Sequence, residues 1–250
     1  MVIALLTDFG EKDGFVGAVK GVILSINKTV QIVDISHHVD SFNILEGALI
    51  LKAHYSYFPE GTVFVGVIDP GVGSDRRGII IRTKNYYFVG PDNGLFDLVL
   101  KGEKEFKIYE IKNSEFILPR KNNTFHGRDV FAPVAAYLSK GVEPEEIGPE
   151  IDYRFKLSFP DLNKEENFLE GEIIYFDKFG NAITNVPCGS YKYGEFRGEK
   201  IYPVSYFLAG KKDKLNAICG SFGYMELFIP MDSAKDKYAL KLGEKVKFFL

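Results

Sequence analysis

The sequence predicts an α/β fold: a mostly parallel N-terminal sheet with helices on both faces, followed by a smaller strand-rich domain. Three observations carry this. Short apolar runs alternate with helical periodicity through the first half of the 250 residues. A polar stretch holding Pro160 and Lys164-Glu165-Glu166 then interrupts the pattern. Beyond it, short strands parted by Gly, Pro and Asn follow one another with little helix, which reads as a small barrel or sandwich. The expected domains are residues 1–155 and 169–250, with 156–168 as a linker.

Each element has a local reason. Val2 to Leu6 is an apolar strand. Asp13 is positioned to cap a helix running to about Asn27, with Phe15, Val19, Val22, Ile23 and Ile26 on its apolar face. Gly14, Gly17 and Gly21 suggest close packing there. Val30 to Ile35 is a second strand, and Asn43 caps a second helix that ends before Pro59 and Gly61. Strands follow at Thr62–Ile68, Gly78–Arg82 and Tyr86–Val89, and Asp129 can cap a short helix through Leu138. Strands buried on both faces and alternating with helices imply a largely parallel sheet. The second half offers strands at Leu169–Phe176, Ala182–Asn185, Lys200–Val204, Met225–Ile229 and Lys245–Leu250.

Composition narrows the function classes. A hydrophobic content of 46% with 26% charged residues is that of a soluble globular protein. A net charge of −3 gives no basic surface for nucleic acid. No apolar run approaches a membrane span. Met1 leads straight into strand-like sequence, so no signal peptide is expected. Cys188 and Cys219 make no disulfide framework and read as reduced core thiols of a cytoplasmic protein.

The chemistry concentrates in a few motifs. Asp69-Pro70-Gly71-Val72-Gly73-Ser74-Asp75-Arg76 places a carboxylate at a strand end, a constrained turn, and then an arginine. Asp8 follows the first strand, and in parallel sheets ligands bind at carboxyl ends. A carboxylate there suits ribose hydroxyls; the competing reading is a turn or capping Asp. His126 precedes a helix start, with Gly127 leaving room beside it. His37-His38-x-Asp40 suggests metal ligation, yet adjacent side chains point apart. Asp177-Lys178-Phe179-Gly180-Asn181 and Ser221-Phe222-Gly223-Tyr224-Met225-Glu226-Leu227 are hairpin turns or binding loops. There is no phosphate loop, Rossmann fingerprint or nucleophile elbow, and Asp8-Phe9-Gly10 stands without any other kinase motif.

Taken together, Thr7-Asp8-Phe9-Gly10, the segment from Asp34 through Ala48, Val67 to Gly73, Gly90-Pro91-Asp92-Asn93-Gly94-Leu95, Phe125 to Asp129, Asp177 to Asn181 and the Ser221–Leu227 loop make the chain resemble one family. It is that of the S-adenosylmethionine hydrolases, or SAM hydroxide adenosyltransferases, relatives of fluorinase and chlorinase. The resemblance implies an α/β N-terminal domain and a β-barrel-like C-terminal domain. It implies a homotrimer whose sites lie between one subunit's N-domain and its neighbour's C-domain. It assigns water activation to Asp69, Arg76 and His126, and the ribose hydroxyls to Asp8. Asn181, Ser221, Phe222 and Tyr224 would meet the adenine or the methionine part, Asp177 the ammonium, and Phe42 and Phe179 the base. Glu226 would line the same pocket.

The reaction so implied is displacement by water at ribose C5′, giving adenosine and methionine without metal or other cofactor. Asp69 would take the water's proton late and His126 would be its next stop, its ordinary pKa suiting neutral pH. Adenosine can remain bound as product. The rival readings are a chlorinase-like halogenase, a metal-dependent hydrolase built on His37, His38, Asp40, Asp69 and His126, and a non-catalytic adenosine or S-adenosylmethionine sensor.

Overall fold

A computed structural model describes residues 1–119, 122–152 and 155–250. Contacts divide the chain into two compact units, Met1–Ser158 and Phe159–Leu250.

In the first unit the order is β1 (Val2–Thr7), α1 (Phe15–Ile26), β2 (Gln31–Ser36), α2 (Ile44–His54), β3 (Val63–Val67), β4 (Gly78–Thr83), β5 (Tyr87–Pro91), α3 (Asp97–Leu100), β6 (Phe106–Glu110), α4 (Ala132–Leu138), α5 (Pro144–Ile147) and β7 (Glu150–Ile151). Among the described residues the sheet runs β2-β1-β3-β5-β4-β6-β7. It is parallel from β2 through β5 and antiparallel from β5 through β7. This is the parallel-rich α/β sheet that the alternating pattern predicts. β3 is buried along its whole length, as a strand covered on both faces must be. On one face Val19 and Ile23 of α1 and Val134, Ala135 and Leu138 of α4 pack on Ile3, Leu5, Val63 and Val65. On the other, Phe64 and Phe88 stack at 5.1 Å beneath Tyr55, and Gly47 of α2 lies against Ile68 and Leu95. β3 and β5 approach so closely that a Cβ on Gly90 would stand 2.3 Å from the Gly66 carbonyl oxygen.

Several local expectations change. The N-cap of α1 is Gly14, whose φ of +74° suits glycine, and Asp13 makes no cap. Gly17 and Gly21 face open space rather than a neighbour. Asp129 lies inside a π-helical turn, Gly127–Phe131, that leads into α4, and its carboxylate pairs with Arg128. Asn43 does cap α2, its side chain accepting from the Glu46 N–H at 3.1 Å.

The second unit contains β8 (Asn163–Lys164), β9 (Phe168–Phe176), β10 (Ala182–Pro187), β11 (Tyr193–Phe196), β12 (Glu199–Ile201), β13 (Pro203–Val204), β14 (Asn216–Cys219), β15 (Tyr224–Phe228), α6 (Ala234–Lys237) and β16 (Lys245–Phe249). β8 falls inside the stretch read as a linker, because Asn163 and Lys164 pair with Glu170 and Leu169 of β9. The strands order as β12-β11-β16-β9-β10-β15-β14-β13, a curled barrel-like sheet around Ile173, Ala217, Leu227 and Phe248.

The cysteines overturn their reading. Cys188 and Cys219 form a disulfide with Cα atoms 5.1 Å apart. β10 and β14 flank β15, and the registers set Pro187 opposite Tyr224 and Cys219 opposite Met225. The two thiols therefore meet at one end of the sheet, a proximity that spacing along the chain does not reveal. The bridge also removes the thiol argument for a reducing compartment. Among the described residues no helix is long and apolar enough to cross a membrane. The disulfide closes a loop of 31 residues. The double variant Cys188→Ser/Cys219→Ser should therefore lose about 4 kcal/mol, read as a lowered denaturation midpoint against oxidised wild type.

Candidate active site

The first unit gathers its carboxylates at the carboxyl ends of β1 and β3. Thr7 pairs with Val67 in the parallel ladder, so Asp8 and Asp69 follow one and two residues beyond that pair, at the same edge of the sheet. Behind Asp69 the chain turns through Val72 N–H to the Asp69 carbonyl and Ser74 N–H to the Gly71 carbonyl. Gly73, at φ +81°, lies where a Cβ would stand 2.7 Å from the Asn123 carbonyl oxygen. The turn returns Arg76 to Asp69. Arg76 Nε donates to Asp69 Oδ1 at 2.9 Å and Nη2 to Oδ2 at 2.5 Å. Nη2 also stands 2.7 Å from His126 Nδ1. The Asp69 and Arg76 side chains are 5% and 9% exposed, so the pair is largely screened from water. Phe131 supports the guanidinium from 5.3 Å.

A guanidinium can only donate, so Nδ1 of His126 accepts and the neutral ring carries its proton on Nε2. Taking a further proton would place it on Nδ1, against Arg76.

Asp8, Asp69, Phe42 and His126 line one cleft of roughly 250 Å³, together with Phe9, Phe15, Ser41, Val72, Thr124, Phe125 and Gly127. Arg76 stands outside that lining and bonds two residues that belong to it. Asp8 Oδ2 accepts from the Phe42 N–H at 2.9 Å. Phe42 has φ +68° and is 69% exposed, a left-handed bulky residue that keeps its ring in the open. Phe9, Phe15 and Phe125 meet edge to face at 5.2–6.0 Å. Periodicity places Phe15 on the apolar face of α1, yet it is 45% exposed and lines the cleft from the first turn of that helix. Position at a helix end, rather than hydrophobicity, was the signal for it.

The histidine pair separates as adjacent side chains should. His37 is buried, with Nδ1 2.8 Å from Thr7 Oγ1 and Nε2 3.0 Å from Asp34 Oδ1, whereas His38 is exposed. Among the described residues no group of three or more His, Cys, Asp or Glu is arranged to hold a metal ion.

The second unit has its own pocket, roughly 840 Å³, lined by Asp177, Phe179, Asn181, Ser221, Phe222 and Glu226. Phe207, Ile218, Cys219, Gly220, Ile229, Met231, Asp232 and Ser233 complete it, and the sequence alone marks none of these as a contact residue. Tyr224 is not in this lining, and its ring packs against Phe159 at 6.3 Å. Asp177 organises its own turn: Oδ1 accepts from the Phe179 and Asn181 N–H groups and Oδ2 from Asn181 Nδ2, all within 2.8–2.9 Å. Glu226 is the contrasting acid. It is only 4% exposed, makes no hydrogen bond or ion pair among the described residues, and packs against Gly220. Burial, and then the charge of Asp177, push its carboxyl up to about 7.

Comparison with known proteins follows the same division. Residues 3–148 match the SAM hydroxide adenosyltransferase N-terminal domain, and residues 171–247 the C-terminal domain. An (R)-S-adenosyl-L-methionine hydrolase of Methanocaldococcus jannaschii is 39% identical over 93% of this chain and 90% of its own. The enzyme of the same name from Thermus thermophilus is 34% identical over 98% of each chain. A fluorinase of Nocardia brasiliensis is 29% identical over 98% of this chain and 96% of its own. Among solved structures, an uncharacterized conserved protein from Thermotoga maritima superposes with a TM-score of 0.90 at 32% identity, covering 98% and 99% of the two chains.

The raised carboxyl of Glu226 has a measurable consequence. Folded protein holds this proton up to about pH 7, whereas the unfolded chain releases it near the ordinary value of 4.5. Stability from this group therefore falls as pH rises through that window, by at most about 3 kcal/mol and less where pocket water screens the charge. Urea denaturation at pH 5 and pH 8 should show Glu226→Gln gaining on wild type at the higher pH. An equal difference at both values would refute the assignment.

Proposed function

Because the chain belongs to the SAM hydroxide adenosyltransferase family, we propose that it hydrolyses S-adenosyl-L-methionine to adenosine and L-methionine. The observation that carries this reading is the Asp69–Arg76–His126 cluster opening on the cleft that also holds Asp8. A water oxygen attacks ribose C5′. The C5′–S bond breaks, its electron pair leaves on sulfur as the neutral thioether, and one water proton is lost. The sulfonium brings its own activation, so the reading includes no metal or organic cofactor.

The proton is lost late. Removing one from bulk water, pKa about 15.7, with a carboxylate of about 3.9 costs roughly 16 kcal/mol. Burial cannot close that gap. As the C–O bond forms, however, the water becomes strongly acidic and Asp69 accepts its proton. Asp69 spends one contact of each oxygen on Arg76 and keeps lone pairs for the water. His126 donates to the same oxygen from Nε2, leaving a water lone pair aimed at C5′. Positioning of this kind supplies several kcal/mol. Arg76 works from behind, holding both partners.

Asp8 accepts from the ribose hydroxyls, and Phe42 and Phe179 flank the adenine. Asn181, Ser221 and Phe222 meet the adenine or the methionine part. Asp177 and Glu226 form an acidic wall for the ammonium. Glu226 is the better supported of the two, since the carboxylate of Asp177 is already engaged by its own turn. Water rather than halide as nucleophile is supported by the hydrolase relatives. The Nocardia brasiliensis fluorinase aligns over 288 positions against 255 for the Thermus thermophilus hydrolase, in keeping with an extra loop in the halogenase. The same proposal includes a homotrimer in which the cleft of one copy is completed by the β-rich unit of another, with adenosine retained as product.

Purified protein incubated with S-adenosyl-L-methionine should release adenosine and methionine in equal amounts, with and without chloride. Halogenated adenosine, or binding with no product, would overturn the reading. Asp69→Ala should keep adenosine binding and lose at least about a hundredfold in turnover. Mixing Asp69→Ala with Asn181→Ala subunits should restore activity that neither has alone; two inactive parents giving an inactive mixture would reject shared sites.

A further inference from the structure

One sequence motif, Gly90-Pro91-Asp92-Asn93-Gly94, has no part in the chemistry above, yet its two polar residues grip the loop that carries Asp69 and Arg76. We propose that Asp92 and Asn93 are positioning residues that clamp the two arms of this loop and so set where Asp69, Arg76 and His126 meet.

The entering arm is held by Asn93. Its Nδ2 donates to the carbonyl oxygen of Ile68 at 2.8 Å, one residue before Asp69. Its Oδ1 accepts from the Leu95 N–H at 3.2 Å, so both ends of the amide are committed and the side chain cannot flip without loss. The leaving arm is held by Asp92. Its N–H donates to the Arg77 carbonyl oxygen at 2.9 Å. Its Oδ2 accepts from Arg77 Nε at 3.1 Å and Nη2 at 2.5 Å. Two adjacent residues thus fix both ends of the excursion from Asp69 to Arg76.

The geometry converts this grip into control of the site. The β4–β5 ladder pairs Gly78 with Pro91, so Arg77 and Asp92 are the next opposed pair beyond the strand ends. Successive side chains on extended backbone point to opposite sides. With Arg77 drawn to Asp92, Arg76 is directed the other way, to Asp69 and His126. Freeing Arg77 would let the pair of arginines exchange roles or swing together.

Stability alone does not account for the arrangement. The Asp92 side chain is 2% exposed, and its Oδ1 has no hydrogen-bond partner among the described residues. A buried carboxylate with one oxygen unsatisfied is costly, and apolar residues often fill such a place at no loss. What the ion pair provides is direction: a bidentate contact has a fixed angle that packing lacks.

The proposal rests on the hydrolase reading for its kinetic arm, and a spectroscopic arm separates the two. Asp92→Asn keeps the shape but weakens the grip on Arg77, and Arg77→Lys removes the fork. Each should lower kcat by about tenfold or more, since sub-ångström misplacement of reacting groups is amplified in rate. KM and adenosine affinity should stay near wild type, even where breaking the ion pair lowers the thermal midpoint. In parallel, the Arg76 Nε–H resonance, assigned by its loss in Arg76→Lys, should shift or broaden in both variants, whether or not wild type turns over S-adenosylmethionine. The double variant Asp92→Asn/Arg77→Lys should lose no more than the worse single one. An unmoved Arg76 resonance, or kcat within twofold of an active wild type, would overturn the clamp. Should Asp92→Asn not fold, Arg77→Lys, whose parent residue is more exposed, carries the same two outcomes. An inactive wild type with a shifted resonance would reject the hydrolase reading and leave the clamp standing.

Discussion

Arg76 is the constraint around which the first unit is organised. A guanidinium offers donors in one plane and no lone pair, so whatever it touches must accept in that plane. Here it touches both oxygens of Asp69 and one nitrogen of His126. Those contacts fix the orientation of the carboxylate and the tautomer of the ring at once. The pair is buried, and breaking a buried pair costs far more than its net contribution to stability. The site is therefore rigid where rigidity matters, at the two groups that face the cleft.

The sheet explains how these groups arrive together. Parallel pairing of β1 with β3 brings Asp8 and Asp69 to one edge, at the ends where such sheets bind ligands. The antiparallel half serves a different purpose. β4 returns the chain from Arg76 alongside β5, and β5 ends in the residues that grip both arms of the loop. Phe131, at the close of the π-helical turn, packs under Arg76, and His126 opens that same turn. An extra residue per turn there re-aims side chains at the site, a familiar use of π geometry.

Much of this was legible in the chain itself. Apolar runs separated by helical periodicity locate β1, β3 and the start of α2 to within a residue or two, because burial leaves a clear signature; α2 itself ends at His54, short of Pro59. Asp69 and Arg76 stood out because Pro70, Gly71 and Gly73 constrain the turn between them. Other features left no local trace. The Cys188–Cys219 bridge depends on β15 lying between β10 and β14, a matter of sheet order. β11 and β14 are too short and polar-flanked to announce themselves. Phe15 fits an apolar helix face yet lines a cleft, since hydrophobic patterning cannot tell core from pocket. Asp92 and Asn93 were visible as a motif, but their partners are distant in sequence, fifteen residues for Arg77 and twenty-five for Ile68.

The two acids of the second unit show why residue type alone is a poor guide to role. Asp177 and Glu226 line the same pocket. Asp177 has its oxygens filled by the amides of its own hairpin, the ordinary occupation of an Asp in a turn. Glu226 has nothing to accept from, and its position against Gly220, where any Cβ would collide with it, leaves little room for a substitute. A buried carboxyl without a positive partner holds its proton to higher pH than an exposed one, and a cation beside it reverses that. A ligand with a cationic end therefore does more than fill this pocket. It favours the ionised form of Glu226, whose proton passes to solvent, and gains a charge-assisted contact.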